Sequence, residues 1–192
     1  MPAFKLILLF IKVFVKPRDK DTFSHYSVEA YLYLLVKAII VMLDVDFHSP
    51  DFYPECGITY VIIGARYMNK WVFIKHKRRK SYELPAGHID EEEDTDTAAQ
   101  RELQEETGAK KYKIVCISTY TVRENNKLRA GRLYYADIEI MGGARDEKEI
   151  DDIILSDSLP ARLGFHHVQR VLFNYLQKYL SGRINSARED TL

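Results

Sequence analysis

The sequence has few cysteines, no net charge and no uninterrupted apolar run of membrane-spanning length. Cys56 and Cys116 are its two cysteines, and they form no Cys-x-x-Cys pair. Neither a disulfide framework nor a cysteine-based zinc site is indicated, and reduced thiols in a cytoplasmic protein fit best. Because 28 basic residues balance 28 acidic ones, no overall field draws the chain to nucleic acid or to an anionic membrane.

The rest of the composition is ordinary for a soluble globular protein. Hydrophobic residues make up 46% of the chain and charged residues 29%, which excludes an intrinsically disordered chain. A length of 192 residues predicts one domain with room for an appendage. We therefore expect a catalytic or binding domain over 42–180, an N-terminal extension over 1–41 and a polar tail over 181–192.

Two apolar stretches, 4–15 and 28–43, make the N-terminal region hard to interpret. The first is about half the roughly 20 residues that a spanning helix needs, and two charged residues interrupt the second. No small-residue cleavage site follows the first stretch. A membrane anchor or signal sequence is thus less favoured than an extension that packs as helices or is poorly ordered. A third alternative is that the gene product effectively starts at Met42.

Segments rich in Val, Ile, Tyr and Thr predict the strands of a sheet. A hairpin turn is expected at 67–70, and a helix with a regular apolar stripe at 164–180. The predicted strands are an alternating segment at 44–47, then 58–65, 71–75, 112–122, 131–140 and 153–155.

A further helix is predicted between these strands, at 95–107, where most residues are good helix formers. Asp94 or Thr95 can serve as its N-cap, and Gly108 is placed to end it in a left-handed conformation. Residues three and four apart share a helical face, so three carboxylates project together. They are Glu102, Glu105 and Glu106.

Three carboxylates on one helical turn repel one another unless a cation lies between them. Mg²⁺ prefers oxygen ligands and commonly shares its coordination shell with substrate phosphates. Taken alone, a Glu-x-x-Glu-Glu segment is more often a solvated acidic face. The surrounding pattern is what favours the metal site.

The whole stretch from Gly87 to Ala109 matches G-x5-E-x7-R-E-U-x-E-E-x-G-U, where U is a bulky aliphatic residue. Ala109 is the one departure, and it weakens a packing contact without touching the chemistry. The stretch therefore resembles the Nudix box, the signature of hydrolases that act on nucleoside diphosphates linked to another moiety. The resemblance implies an α/β fold, an α/β/α sandwich with a mixed central sheet. The fixed positions are filled by Gly87, Glu93, Arg101, Glu102, Glu105, Glu106 and Gly108.

The resemblance also implies roles for the residues of the box. Mg²⁺, for which Mn²⁺ can substitute, would be held by Glu102, Glu105, Glu106 and the backbone carbonyl of Gly87. Glu105 or Glu102 would act as the base, and Arg101 would orient a box carboxylate. Glu93 and Gly108 would be structural.

A further catalytic carboxylate is often supplied in this family by the loop after the last long strand. Glu149 is our prediction for it, with Glu147 and Asp152 as alternatives. Since the loop is rich in acidic residues by default, the sequence supports this assignment only weakly.

Substrate-binding residues are predicted on both sides of the box. Lys75 and His76 open a basic run that directly precedes the box, so they are assigned to phosphate contact; a solvated loop is the alternative. Phe165 is placed like the base-contacting segment of mutator-type 8-oxo-dGTP diphosphatases, with core packing as the alternative. His166 and His167 are not a metal pair, because adjacent helical residues do not face one ligand.

The resemblance implies an enzyme that cleaves the phosphoanhydride of a nucleoside triphosphate to a monophosphate and pyrophosphate, with 8-oxo-dGTP as one candidate. The first alternative is a pyrophosphatase of ADP-ribose or another nucleoside-diphosphate sugar. Such enzymes often exchange an N-terminal region between subunits. The second alternative is a non-catalytic nucleotide-binding module, although such modules typically lose a box glutamate. The expected partner is a small nucleotide rather than nucleic acid, and the chain is a monomer or homodimer.

Overall fold

The computed structural model describes residues 45–189 apart from 125–126, 144 and 147. The helix predicted at 95–107 is present with those bounds. The elements are β1 (Val45–His48), β2 (Tyr60–Tyr67), β3 (Lys70–His76), β4 (Ala86–His88), α1 (Thr95–Thr107), β5 (Ala109–Glu124), β6 (Lys127–Met141), β7 (Ile150–Ser156) and α2 (His166–Glu189).

The strands form one mixed sheet in the order β1-β5-β6-β2-β3-β7, with β4 paired to β2. The β2–β6 pairing is parallel, and the other pairings are antiparallel. Met68 and Asn69 join β2 to β3 with φ of 51° and 63°. Two consecutive positive φ values suit the twist of a two-residue hairpin, as predicted for 67–70.

The two helices cover opposite faces of the sheet, which confirms the α/β/α sandwich. Alternate residues of β2 divide between the faces, since Val61 and Ile63 belong to one buried cluster and Ile62 to the other. Leu103 of α1 packs in the first cluster, and Leu172 of α2 in the second. The apolar stripe predicted for the last helix therefore faces the core.

The remaining differences from the predictions concern element ends and one short strand. The sequence predicts an entry from strand to turn at 82–87, and the structure has the three-residue β4 at the end of that stretch. β7 begins at Ile150 rather than 153, and α2 reaches Glu189, so most of the expected polar tail is helical. The predictions for 1–41 and Glu147 lie outside the described residues. Of the helices that the structure describes, none is long and apolar enough to cross a membrane.

Both ends of α1 are capped by the expected residues. The Asp94 carboxylate accepts hydrogen bonds from the backbone N–H groups of Asp96 and Thr97, each at 2.9 Å. At the other end, Gly108 adopts φ 70° and its N–H donates to the carbonyl of Gln104 at 2.8 Å. A left-handed residue suits glycine, which has no Cβ to clash.

Close contact between β2 and α2 leads to a stability prediction for Gly64. A Cβ at Gly64 would lie 2.4 Å from Cδ2 of Leu176, which is fully buried. Gly64→Ala should therefore overpack the core and lower the free energy of unfolding by about 1–3 kcal/mol in urea titrations. Gly182→Ala in α2 is the matched control, because its Cβ position has no atom within 4 Å other than the backbone of its own helix and its chain neighbours. Equal stability of Gly64→Ala and wild type would contradict this packing.

Candidate active site

Glu106 is buried where β3, β4 and α1 meet. Its Oε2 accepts a hydrogen bond from the Ala86 N–H at 2.8 Å, and its Oε1 lies 3.2 Å from Nε2 of His76. Burial raises the pKa of Glu106 to about 7, although both of these contacts act in the opposite direction. The same ion-pair contact raises the pKa of His76. His76, which was predicted to bind substrate, therefore contacts a box glutamate.

Glu102 lies directly against the backbone of Gly87. A Cβ at Gly87 would be 1.8 Å from Oε1 of Glu102, so only glycine leaves room for the carboxylate in this position. Arg101 Nη1 donates to Oε1 of Glu102 at 2.7 Å and to Oε2 of Glu105 at 3.2 Å. Burial raises the pKa of Glu102 despite this cation. Glu105 is more open, with half of its side chain exposed.

Arg101 also joins the helix to the preceding loop. Its Nε and Nη2 donate to the two carboxylate oxygens of Glu93, each at 2.9 Å, and Nη2 donates to the carbonyl of His88 at 3.0 Å. The Asp90 N–H adds a hydrogen bond to Glu93 at 3.1 Å. These donors hold the pKa of Glu93 below its usual range. Glu93 therefore fixes the loop between β4 and α1.

The donor set of α1 fits a hard divalent cation by its chemistry. Three carboxylates share one face, and burial disfavours the charged form of two of them, Glu102 and Glu106, which a nearby cation would offset. Among the residues that the structure describes, no three Asp, Glu, His or Cys side chains are arranged closely enough to hold a metal ion together. Instead, Arg101 contacts a carboxylate oxygen of Glu102, and His76 contacts one of Glu106.

Lys75, which was also assigned to substrate binding, is engaged elsewhere. Its ammonium group lies 2.7 Å from Oδ2 of Asp151 and 5.8 Å from the centroid of the Tyr82 ring. The Tyr82 hydroxyl donates to Asp152 at 2.6 Å, so this alternative to Glu149 is itself engaged. Lys75 is thus already paired with a carboxylate.

Phe165 is exposed, which excludes the core-packing alternative. Its exposed fraction is 65%, and its φ of 43° lies in the left-handed region that residues other than glycine rarely adopt. The guanidinium carbon of Arg79 lies 5.1 Å from the centre of the ring.

Glu149 is placed near the box by its backbone. Its carbonyl accepts a hydrogen bond from the N–H of Lys77, the residue after His76, at 2.8 Å. Its side chain is exposed. The preceding loop is tied to α1, because the Asp146 N–H donates to the carbonyl of Glu105 at 2.7 Å.

Three further residues lie at the site. Arg79 belongs to the basic run that opens with Lys75, whereas Glu83 and Tyr60 were not predicted. Glu83 is 2% exposed, and its Oε1 contacts Nη1 of Arg79 and lies 3.6 Å from Nε2 of His76. Burial, followed by the charges of Glu83 and Glu106, raises the pKa of Tyr60 to about 12. One pattern could have predicted the contact between Glu83 and Arg79. Glu83 lies in a largely apolar segment that follows a basic run, and a buried carboxylate needs a partner.

Comparison with known proteins agrees with the box and the sandwich. Residues 60–154 match the family model described as NUDIX domain. A protein of Bacillus subtilis (strain 168) named "Putative 8-oxo-dGTP diphosphatase YtkD" is 33% identical over 105 residues, which are 55% of this chain and 66% of that protein. The chain therefore spans just under two thirds of this relative's length.

A solved structure shows the same similarity. The crystal structure of the Bacillus subtilis pyrophosphohydrolase BsRppH, in a mutant form, superposes with a TM-score of 0.59 at 27% identity. The match covers 70% of this chain and 90% of that one. The fixed positions of the box lie on β4, on α1 and in the segments that flank α1, and the chain belongs to the Nudix hydrolase family.

Proposed function

We propose that this protein hydrolyses the phosphoanhydride of a nucleoside triphosphate, releasing a nucleoside monophosphate and pyrophosphate, with 8-oxo-dGTP as one candidate substrate. The observation that carries the proposal is the intact carboxylate face of α1, lying directly on β4 through Glu106 and Ala86. The names of the two Bacillus subtilis relatives support the reaction class.

Mg²⁺ or Mn²⁺ would be held by Glu102, Glu105, Glu106 and the carbonyl of Gly87. Such an ion supplies charge neutralisation on the phosphates and a lowered pKa of bound water. The chain's own part is orientation: Ala86 and His76 fix the Glu106 carboxylate, and Arg101 keeps the other two carboxylates together.

Glu105 is our choice for the base that removes a proton from the attacking water. Its side chain is 51% exposed, whereas Glu102 and Glu106 are more enclosed. An exposed carboxylate beside a phosphate site can exchange its proton with solvent between turnovers. Glu149 remains our candidate for a further catalytic carboxylate, and Lys75, His76 and Phe165 for substrate binding.

A release assay tests this function. With Mg²⁺ present, we expect pyrophosphate release from 8-oxo-dGTP or a normal nucleoside triphosphate to exceed release of AMP and ribose 5-phosphate from ADP-ribose. EDTA should reduce turnover at least about 100-fold, and added Mg²⁺ or Mn²⁺ should restore it. Glu105→Gln serves as the blank.

Two results would contradict the proposal. Preferential hydrolysis of ADP-ribose would assign the protein to the nucleoside-diphosphate-sugar alternative. The absence of Glu105-dependent turnover on every one of these substrates would leave only a nucleotide-binding module.

A further inference from the structure

Arg79 presents a guanidinium group that is held from two sides. Its Nη1 contacts Oε1 of Glu83, and its central carbon lies 5.1 Å from the centre of the Phe165 ring. The side chain of Arg79 nevertheless remains 41% exposed, whereas the Glu83 side chain is almost completely buried. A long cationic side chain is therefore fixed at the surface by a carboxylate beneath it and an aromatic ring beside it.

A chain of contacts links this guanidinium to one of the box carboxylates, Glu106. Glu83 lies 3.6 Å from Nε2 of His76, which in turn lies 3.2 Å from Oε1 of Glu106. Burial raises the pKa of the Tyr60 hydroxyl, as do the charges of the three nearby glutamates, whereas the charge of Arg79 lowers it. An anion held by the box carboxylates through a metal would thus lie within reach of Arg79.

The backbone around Phe165 is built to present its ring. The N–H of Gly164 donates to the carbonyl of Tyr82 at 2.8 Å, and the N–H of Tyr82 donates to the carbonyl of Arg162 at 2.7 Å. Phe165 then adopts its left-handed φ of 43°, which is unfavourable for a side chain with a Cβ. Such a conformation persists only where the surroundings enforce it, and here it places an exposed ring against Arg79.

Arg79 is better suited than Lys75 to receive a phosphate. Lys75 already forms an ion pair with Asp151 at 2.7 Å, and a lysine offers only a point charge. Arginine has five N–H donors in a planar fork, so one carboxylate leaves donors for a second anion. Its aromatic contact restricts rotation and reduces the entropy lost when that anion binds.

We propose that Arg79 binds a phosphate oxygen of the substrate, and that Glu83 and Phe165 are positioning residues that hold its guanidinium. The inference rests on the proposed function and names the residue that recognises the triphosphate. It also makes the part of Phe165 in substrate binding an indirect one, since the ring supports Arg79 rather than stacking on a purine.

Calorimetric titration in Mg²⁺ buffer tests this assignment, with Glu105→Gln as the parent so that ligands are not hydrolysed. The ligands are dGTP and inorganic tripolyphosphate. Arg79→Ala should weaken both about tenfold or more, and Arg79→Lys about three- to tenfold because the planar fork is lost. Phe165→Leu should weaken both ligands by a similar factor. It should have little further effect in the Arg79→Ala background, since both changes remove one unit.

Lys70→Ala is the charge control. It removes a positive charge at the far end of β3, where Lys70 lies 3.8 Å from Asp157, and should leave both affinities unchanged. If Arg79→Ala fails to fold because Glu83 loses its partner, Arg79→Lys decides the matter, since it keeps the charge beside Glu83.

Three outcomes would overturn the inference. Parent-like affinities in Arg79→Ala would show that Arg79 binds no phosphate, and parent-like affinities in Arg79→Lys would show that its planar fork makes no contribution. Weaker binding of dGTP alone in Phe165→Leu would assign the ring to the base. If the effects of Arg79→Ala and Phe165→Leu on the binding free energy were strictly additive, Phe165 would not act through Arg79. In each case Glu105-dependent pyrophosphate release would still stand, whereas absence of that release in the wild type would remove the proposed function itself.

Discussion

Glu105→Gln is expected to lower kcat for nucleoside triphosphate hydrolysis by about 10³-fold without changing thermal stability. A general base typically contributes about 10²–10⁴-fold to a rate, and the variant also loses one charge of the metal-binding set. Steady-state pyrophosphate release and a thermal unfolding curve, recorded on the same preparation, check the two halves of this expectation.

Because of the position of Glu105, its replacement should affect catalysis without affecting stability. Its side chain is half exposed, and its contact in the structure is with Nη1 of Arg101 at 3.2 Å. Glutamine has nearly the same shape and retains an oxygen that can accept that hydrogen bond. An exposed charge pair of this kind contributes at most about 1 kcal/mol. Glu106→Gln should also be inactive, but Glu106 is buried, so its stability is expected to change as well.

Glu91→Gln is the matched control for this variant. Glu91 is an exposed glutamate in the loop before α1, so its replacement removes the same charge from the same segment. We expect its kcat to stay within about twofold of wild type. If Glu105→Gln kept a kcat within about threefold of wild type, Glu105 would be neither base nor necessary ligand.

The sequence predicts α1 and its caps well because their determinants are local. Asp94 and Gly108 act on backbone groups only a few residues away, and the helical repeat places the three carboxylates on one face whatever the rest of the fold does. The strands could be located for a related reason, since a buried sheet needs β-branched and aromatic residues in short runs. Their order in the sheet required the structure.

The parts of the site that the sequence does not predict depend on contacts between distant segments. Glu83 meets Arg79 and His76 only because the segment before β4 lies beside the end of β3. Phe165 directly precedes an amphipathic helix and has the character of a core residue. Its backbone, bonded to Tyr82 through Gly164, turns the ring outward instead. No local pattern contains that information.

Gly87→Ala is expected to lower kcat by about 10²–10³-fold while the fold survives. A new Cβ would lie 1.8 Å from Oε1, 2.0 Å from Cδ and 2.5 Å from Oε2 of Glu102. The carboxylate must move, and with it one of the proposed metal ligands and a hydrogen bond from Arg101. Misplacement of a catalytic group by about 1 Å is enough for a loss of about 10²-fold.

The fold should tolerate Gly87→Ala because the obstacle is a flexible side chain rather than the backbone. Gly87 is not among the residues with positive φ, so alanine can adopt its conformation. Gly108→Ala is the contrasting variant: its φ is 70°, and the carbonyl oxygen of Gly143 lies 2.8 Å from the Cβ position. It should lose stability by about 1–2 kcal/mol from the left-handed conformation alone.

Urea unfolding and pyrophosphate release on both glycine variants distinguish the two roles. We expect Gly87→Ala to lose activity with a nearly unchanged urea midpoint, and Gly108→Ala to unfold at lower urea. A fully active Gly87→Ala protein would mean that Glu102 does not need its place against β4. The geometric basis for using Glu102 as a metal ligand would then be lost, whereas the assignment of Glu105 as base would stand on its own test.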